Sequence, residues 1–333
     1  MLLGYILRRL LWSVPFFFAA SLVSFALIQA PPGDYVTSFA ATLAASGDVI
    51  DQDRLEALRT RYGLDDSFFV QYWNWITGVV LHGDFGISFE WQQPVSQLIW
   101  ERMGLSLALA FGTLIFTWAV ALPLGIYSAV RKYTVSDYLL TTIGFIGLAT
   151  PNFLIALVMM YIAVVWFGAD VSGLFSPEYQ QAPWSWARFV DLLRHIWLPI
   201  AILGLSSTAS LMRIMRANLL DELNKPYVTT ARAKGLRERD VILRYPVRIA
   251  LNPFVSAIGW VLPQLISGVT ITAIVLNLPT LSPILLRSLL SQDMHLAGAL
   301  ILLMGILTLV GTLVSDLLLA WIDPRIRAGM QHG

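Results

Sequence analysis

Six separate stretches of this chain are long and apolar enough to cross a lipid bilayer, and their spacing constrains the fold more than any other feature. A bilayer core takes about 20 predominantly apolar residues per helix. The first stretch runs from Leu10 to Ala30. The others run, within a few residues, from Leu105 to Ala129, Tyr138 to Phe167, Ile196 to Ala217, Pro253 to Leu276 and Leu296 to Trp321. Composition agrees: 57% of the 333 residues are hydrophobic and 13% charged, where a soluble domain carries about 25% charged residues. The expected fold is an all-α polytopic membrane protein with six transmembrane helices.

Arginines before an apolar run can open a signal peptide. Here the run is long and Pro31 directly after Ala30 suits cleavage poorly, so the first stretch reads as an uncleaved anchor. Pro151 and Pro263 lie inside spans and are expected to mark kinks. Loop cations set the orientation. Arg8 and Arg9, Arg131 and Lys132, and Arg325 and Arg327 fall on one side of a six-span chain. That side also receives Lys225, Arg232, Lys234, Arg237, Arg239, Arg244 and Arg248. The opposite side carries Asp34, Asp48, Asp51, Asp53, Glu56, Asp65, Asp66, Asp84, Glu90 and Glu101. Both termini are therefore placed in the cytoplasm. The domain plan is an N-terminal end and first span over residues 1–30, an extracytoplasmic segment over 31–104, and a five-span core over 105–333 with a cytoplasmic loop at 221–252.

The outer segment is too long for a connector and should be structured. Asp51 to Leu64 reads as an amphipathic surface helix through Leu55 and Leu58. Tyr72, Trp73 and Trp75 fit an interfacial aromatic belt or a docking surface. Trp184, Trp186 and Trp197, in and near the smaller outer loop from Gly168 to His195, invite the same two readings.

Catalytic chemistry is not legible. The absence of Cys excludes disulfides and thiolate sites. No phosphate loop of the form GxxxxGK[ST] and no HExxH occur. His82, His195, His295 and His332 are too dispersed for an expected metal site. Asp316 is read as the one acidic residue inside a span, a partner for Arg213 or Arg216 or an interfacial residue rather than a proton relay.

The cationic stretch TARAKGLRERD, Thr230 to Asp240, needs its own account. Nucleic-acid binding would call for a broader basic surface with stacking aromatics. Positive-inside topology and anionic lipid explain the charge. Neither explains a short helix opening at Pro226 and ending at Gly235, with small Ala231 and Ala233 leaving its backbone approachable. Such a helix suits docking into a groove on another protein.

TARAKGL with the preceding PYV resembles the cytoplasmic "EAA" loop of ABC importer permeases of the oligopeptide, dipeptide and nickel branch. The resemblance extends along the chain through RRLLWSVPFFFAASLVSFALIQAPPGD, YGLDDSFFVQYWNW, GDFGIS, HIWLPIAILGLSSTASLMRIMRANLLDEL and DPRIR. It implies the type I ABC importer permease fold in the inner membrane of a prokaryote. It also implies a second homologous permease, two cytoplasmic ATPases and an extracytoplasmic solute-binding protein as partners, with membrane lipid around them. ATP and Mg would be held by the ATPases, and this chain would bind no cofactor and catalyse no reaction. Tyr227, Thr230, Ala231, Arg232, Ala233, Lys234, Gly235, Leu236 and Arg237 would form the ATPase-coupling helix. Thr230, Ala231, Ala233 and Gly235 would fit the groove, and Arg232, Lys234 and Arg237 would anchor it.

Where the family often has Glu-Thr-Val-Phe and a Pro-Gly-Leu-Gly turn after span five, this chain reads AIVLNLPTLS. Ala273 stands at the acidic position, and Thr280 and Ser282 replace the glycines. Asn152, Met159, Ser207, Gln264 and Ser267 are candidates to line the pathway or to pack helices. Short peptides are the first expectation for cargo and oligosaccharides or other small solutes the second. An ATPase-independent channel or facilitator is the reading from a different class.

Overall fold

The apolar stretches form helices, and several helices outrun the stretches that announce them. The structure, a computed structural model, describes residues 2–46, 52–168 and 171–322. Asp48, Asp51, Arg325 and Arg327, with the DPRIR stretch, lie outside the described residues. Helix α1 (Leu2–Gln29) ends just before the Pro31-Pro32 pair. The outer segment folds into α2 (Tyr35–Ser46), α3 (Gln52–Tyr62) and α4 (Phe68–Thr77). Helix α5 covers Val95–Val130, and its 36 residues make it about 54 Å long against a hydrocarbon core of about 30 Å.

The third stretch is interrupted at Pro151, where the sequence predicts a kink. It divides into α6 (Val135–Ala149) and α7 (Asn152–Phe167), bent by 100° at the break. Pro151 supplies the cause. A residue before proline avoids the α conformation, and Thr150 is extended at φ −92, ψ 123.

Helix α8 runs over Trp186–Leu223, so the smaller outer loop ends at Ser185 and not at His195. Ser185 caps α8 by accepting the Arg188 N–H at 3.2 Å. Hydropathy registered only the lipid-length part of α8, because Arg188, Asp191, Arg194 and His195 continue it as polar turns. The inner loop holds α9 (Pro226–Ala233), α10 (Glu238–Arg244) and α11 (Pro246–Ala250). Beyond it come α12 (Asn252–Ser267), α13 (Thr270–Val275), α14 (Leu281–Leu290) and α15 (Met294–Ile322). Five described helices are long and apolar enough to cross a membrane, or six when the bent pair is one span. The described residues contain no strand beyond a single bridge between Ile87 and Pro94.

Two compact units divide the chain. One comprises Leu2–Ser106 with Thr280–Leu307. Its core is aromatic: Phe25 packs on Phe68, Tyr72 and Trp75 at ring distances of 5.5, 5.6 and 5.8 Å. This corrects the reading of Tyr72 and Trp75 as belt or docking residues. Trp75 is 5% exposed, and the Tyr72 hydroxyl is 2.8 Å from that of Ser21. Trp73 alone of the three stays on the surface. Leu55 and Leu58 pack α3 onto this core, as an amphipathic helix should.

The other unit comprises Leu107–Pro279 with the chain from Thr308 onward. Its helices approach closely where side chains are missing. A Cβ on Gly311 would lie 3.1 Å from the Gly259 Cα. That brings α12 and α15 nearly backbone to backbone, the approach small residues allow between membrane helices.

Candidate coupling loop and membrane-depth polar residues

The inner loop is built outward from Pro226. Proline at the first helical position loses no hydrogen bond there. Lys225 before it is extended at φ −75, ψ 148, and α9 begins at once. The helix stops at Gly235, whose φ of +75 lies in the left-handed region that costs glycine nothing. The chain then re-enters α10, with Glu238 and Asp240 in the first turn where the helix dipole favours acids.

Arg232 and Glu238 join the two helices at 2.7 Å, with side chains 43% and 57% exposed. An exposed pair of this kind contributes at most about 1 kcal/mol. Apolar packing holds the hairpin instead. Val228, Ala231 and Val241 form a small buried cluster, 0%, 4% and 0% exposed, with Tyr227 against it. The Tyr227 hydroxyl donates to the Glu222 carboxylate at 2.5 Å.

These contacts sort the expected coupling residues. Ala231 and Tyr227 serve the inside of the hairpin. Thr230, Arg232, Ala233, Lys234, Gly235, Leu236 and Arg237 are exposed. A Cβ on Gly235 would meet nothing within 4 Å. The hairpin is tied to the long helices by Ile242, Val247 and Ala250, which pack with Met212, Met215 and Leu219 of α8 and Phe254 of α12.

Asn152 is the first residue of α7, and its side-chain oxygen accepts from the Ser206 hydroxyl of α8 at 2.7 Å. Met159 is half-buried, while Ser207, Gln264 and Ser267 are exposed on α8 and α12. The Ser267 hydroxyl donates to the Pro263 carbonyl at 3.1 Å. Ala273 is fully buried at 0% exposure. Thr280 is extended at φ −114, ψ 177, a conformation open to any residue, so a glycine is not required there.

Three buried carboxylates, Asp137, Asp191 and Asp293, escaped the sequence reading; Asp191 accepts from the Ser176 N–H at 2.8 Å and hydroxyl at 2.7 Å. Asp137, in the first turn of α6 and 2% exposed, receives Arg216 of α8 through Nε at 2.8 Å and Nη2 at 2.7 Å. It also accepts from the Ser128 hydroxyl and from the Tyr133 N–H at 2.9 Å. Arg216, offered above as a partner for Asp316, pairs with Asp137. The Arg213 guanidinium lies over the Phe145 ring at 5.8 Å.

In the other unit, Asp293 is 0% exposed and accepts from the Ser88 hydroxyl at 2.5 Å and from the Glu90 and Leu296 N–H groups, both at 3.2 Å. Burial outweighs these bonds and pushes its carboxyl above the ordinary range. The GDFGIS stretch lies against the same place. Gly86 turns at φ +83, where a Cβ would come 2.7 Å from the His295 Nδ1. Among the described residues no group of three or more His, Cys, Asp or Glu is placed to hold a metal ion.

A multi-span helical chain with an exposed cationic hairpin packed onto the longest of its described helices defines a polytopic membrane protein. Two family profiles match it. The binding-protein-dependent transport system inner membrane component covers residues 121–328, and the N-terminal component of such membrane proteins covers residues 2–110. The chain belongs to this family of ABC importer permeases, which are inner-membrane proteins.

It is 34% identical over 327 residues to the oligopeptide transport system permease protein AppB of Bacillus subtilis (strain 168), covering 97% of this chain and 99% of that one. It is 31% identical over 342 residues to the dipeptide transport system permease protein DppB of Escherichia coli (strain K12), covering 98% and 99%. The nickel import system permease protein NikB of Staphylococcus aureus (strain MRSA252) is 26% identical over 322 residues, covering 97% and 91%.

Proposed function

We propose that this chain is the transmembrane permease subunit of an ATP-driven, binding-protein-dependent importer, carrying short peptides across the cytoplasmic membrane by alternating access. The observation that carries the reading is the α9–Gly235–α10 hairpin. Its exposed end offers Thr230, Ala233, Lys234, Leu236 and Arg237, while its base is packed onto α8 and α12. A projection fixed in this way transmits force applied to its tip.

In this reading two cytoplasmic ATPases hold ATP and Mg, one of them grips the hairpin, and their closure moves the spans. A second permease of the same family completes the pathway, and an extracytoplasmic solute-binding protein delivers cargo. Asn152, Met159, Ser207, Gln264 and Ser267 are the residues we assign to the pathway. Short peptide is favoured as cargo by the relatives named for oligopeptide and dipeptide transport.

Ala233 gives the sharpest test, because it is exposed whereas Ala231 supports the hairpin from within. The Ala233→Arg variant should insert in the membrane as the natural chain does and lose co-purification with the ATPase subunits. Undiminished co-purification would remove the hairpin from the coupling role.

A further inference from the structure

We propose that the Asp137–Arg216 pair is a positioning device that passes movement of the coupling hairpin to the broken α6–α7 span. The inference rests on the importer reading above and adds to it the residues through which the hairpin acts. Ionisable residues in a membrane-spanning region are costly enough that a function is the default expectation.

Three facts about the geometry point this way. First, Arg216 sits near the end of α8, the helix that leads at Leu223 into the coupling hairpin. Met212, Met215 and Leu219, around Arg216 on α8, carry the contacts to Ile242, Val247 and Ala250 of α10 and α11. Second, Asp137 gathers four donors from three places: the guanidinium of α8, the hydroxyl of Ser128 in α5 and the N–H of Tyr133 in the intervening turn. A shift of α8 is therefore felt at the start of α6 and the end of α5 together. Third, α6 ends at the 100° break, where Asn152 is bonded to Ser206 of α8 at 2.7 Å. Helix α8 thus holds the broken span at its beginning and at its bend.

Two side contacts without rigid geometry between them would let α8 slide past α6. The paired Nε and Nη2 bonds fix both distance and angle, as a planar guanidinium on a carboxylate does and an ammonium cannot. The pair is a hinge pin with defined geometry, and its loss should separate ATP hydrolysis from movement of cargo.

The test uses the assembled complex in proteoliposomes, with ATP hydrolysis and uptake of a labelled dipeptide measured on the same preparation. Removing one charge strands the other, so the first variant is the doubly neutral D137N/R216Q and the second is R216K. D137N/R216Q should hydrolyse ATP within about twofold of the natural complex and lose at least about tenfold in uptake, whereas R216K should lose about threefold in uptake per ATP. Unchanged uptake per ATP in both variants overturns the proposal and leaves the importer reading standing. Failure of both variants to insert or assemble makes the pair a packing element and overturns it equally. A natural complex whose uptake ignores ATP would instead remove the importer reading on which the inference rests.

Discussion

At Gly235 the backbone takes a φ of +75 in open space, with nothing within 4 Å of an added Cβ. Gly235→Ala should therefore lower stability only by left-handed strain, about 1 kcal/mol, read as a small drop in melting temperature with insertion unchanged. Asp293 behaves in the opposite way, since its environment and not its backbone is unusual. Its folded pKa is raised by burial, so the native state holds the proton more tightly than the unfolded chain. The stability this contributes is full below the ordinary carboxylate value of about 3.9 and is lost as pH rises through the raised folded value. Melting of the solubilised protein across acid to neutral pH should show that decline, and Asp293→Asn should flatten it. Equal slopes for the two proteins would contradict the assignment. His295 and the Ser88 hydroxyl are in both proteins, so the difference isolates the carboxylate.

Helices were legible where one residue type or one periodicity decides them. Apolar runs placed the central parts of α1, α5, α8 and α15, the Leu55–Leu58 spacing placed α3, and Pro226 and Gly235 bounded α9. What was not legible depends on partners far away in the chain. Asp137 meets Arg216 across 79 positions and Asp293 meets Ser88 across 205, and no local pattern announces either. Tyr72 and Trp75 carry a belt-like composition and become core residues only because α1 supplies Phe25. The polar overhang of α8 is likewise not seen by hydropathy, whereas the place of the break at Pro151 is local and was legible, its 100° size being what the sequence does not state. At this scale the α12–α15 approach gives its own prediction. Gly311→Leu would force side-chain atoms into the Gly259 backbone, which a Cβ alone already approaches to 3.1 Å. Overpacking of this sort costs about 1–3 kcal/mol, so the variant should melt measurably lower, while Leu at exposed Val310 should not change the melting point.

For the whole molecule, the function proposed above is a division of labour in which this chain supplies a path and partner subunits supply ATP hydrolysis; family membership supports the permease half of it. The residues proposed for coupling divide into an inner set, Tyr227 and Ala231, that keeps the hairpin in shape, and an outer set around Ala233 and Leu236 that faces outward. That division separates variants that unfold the loop from variants that uncouple it. The most direct measurement of the central claim is uptake of a labelled short peptide into proteoliposomes holding the permease pair, the ATPases and the binding protein. The account predicts uptake with ATP, none with a non-hydrolysable analogue, and none with Ala233→Arg. Equal uptake with and without hydrolysable ATP would contradict it and make the chain a facilitator.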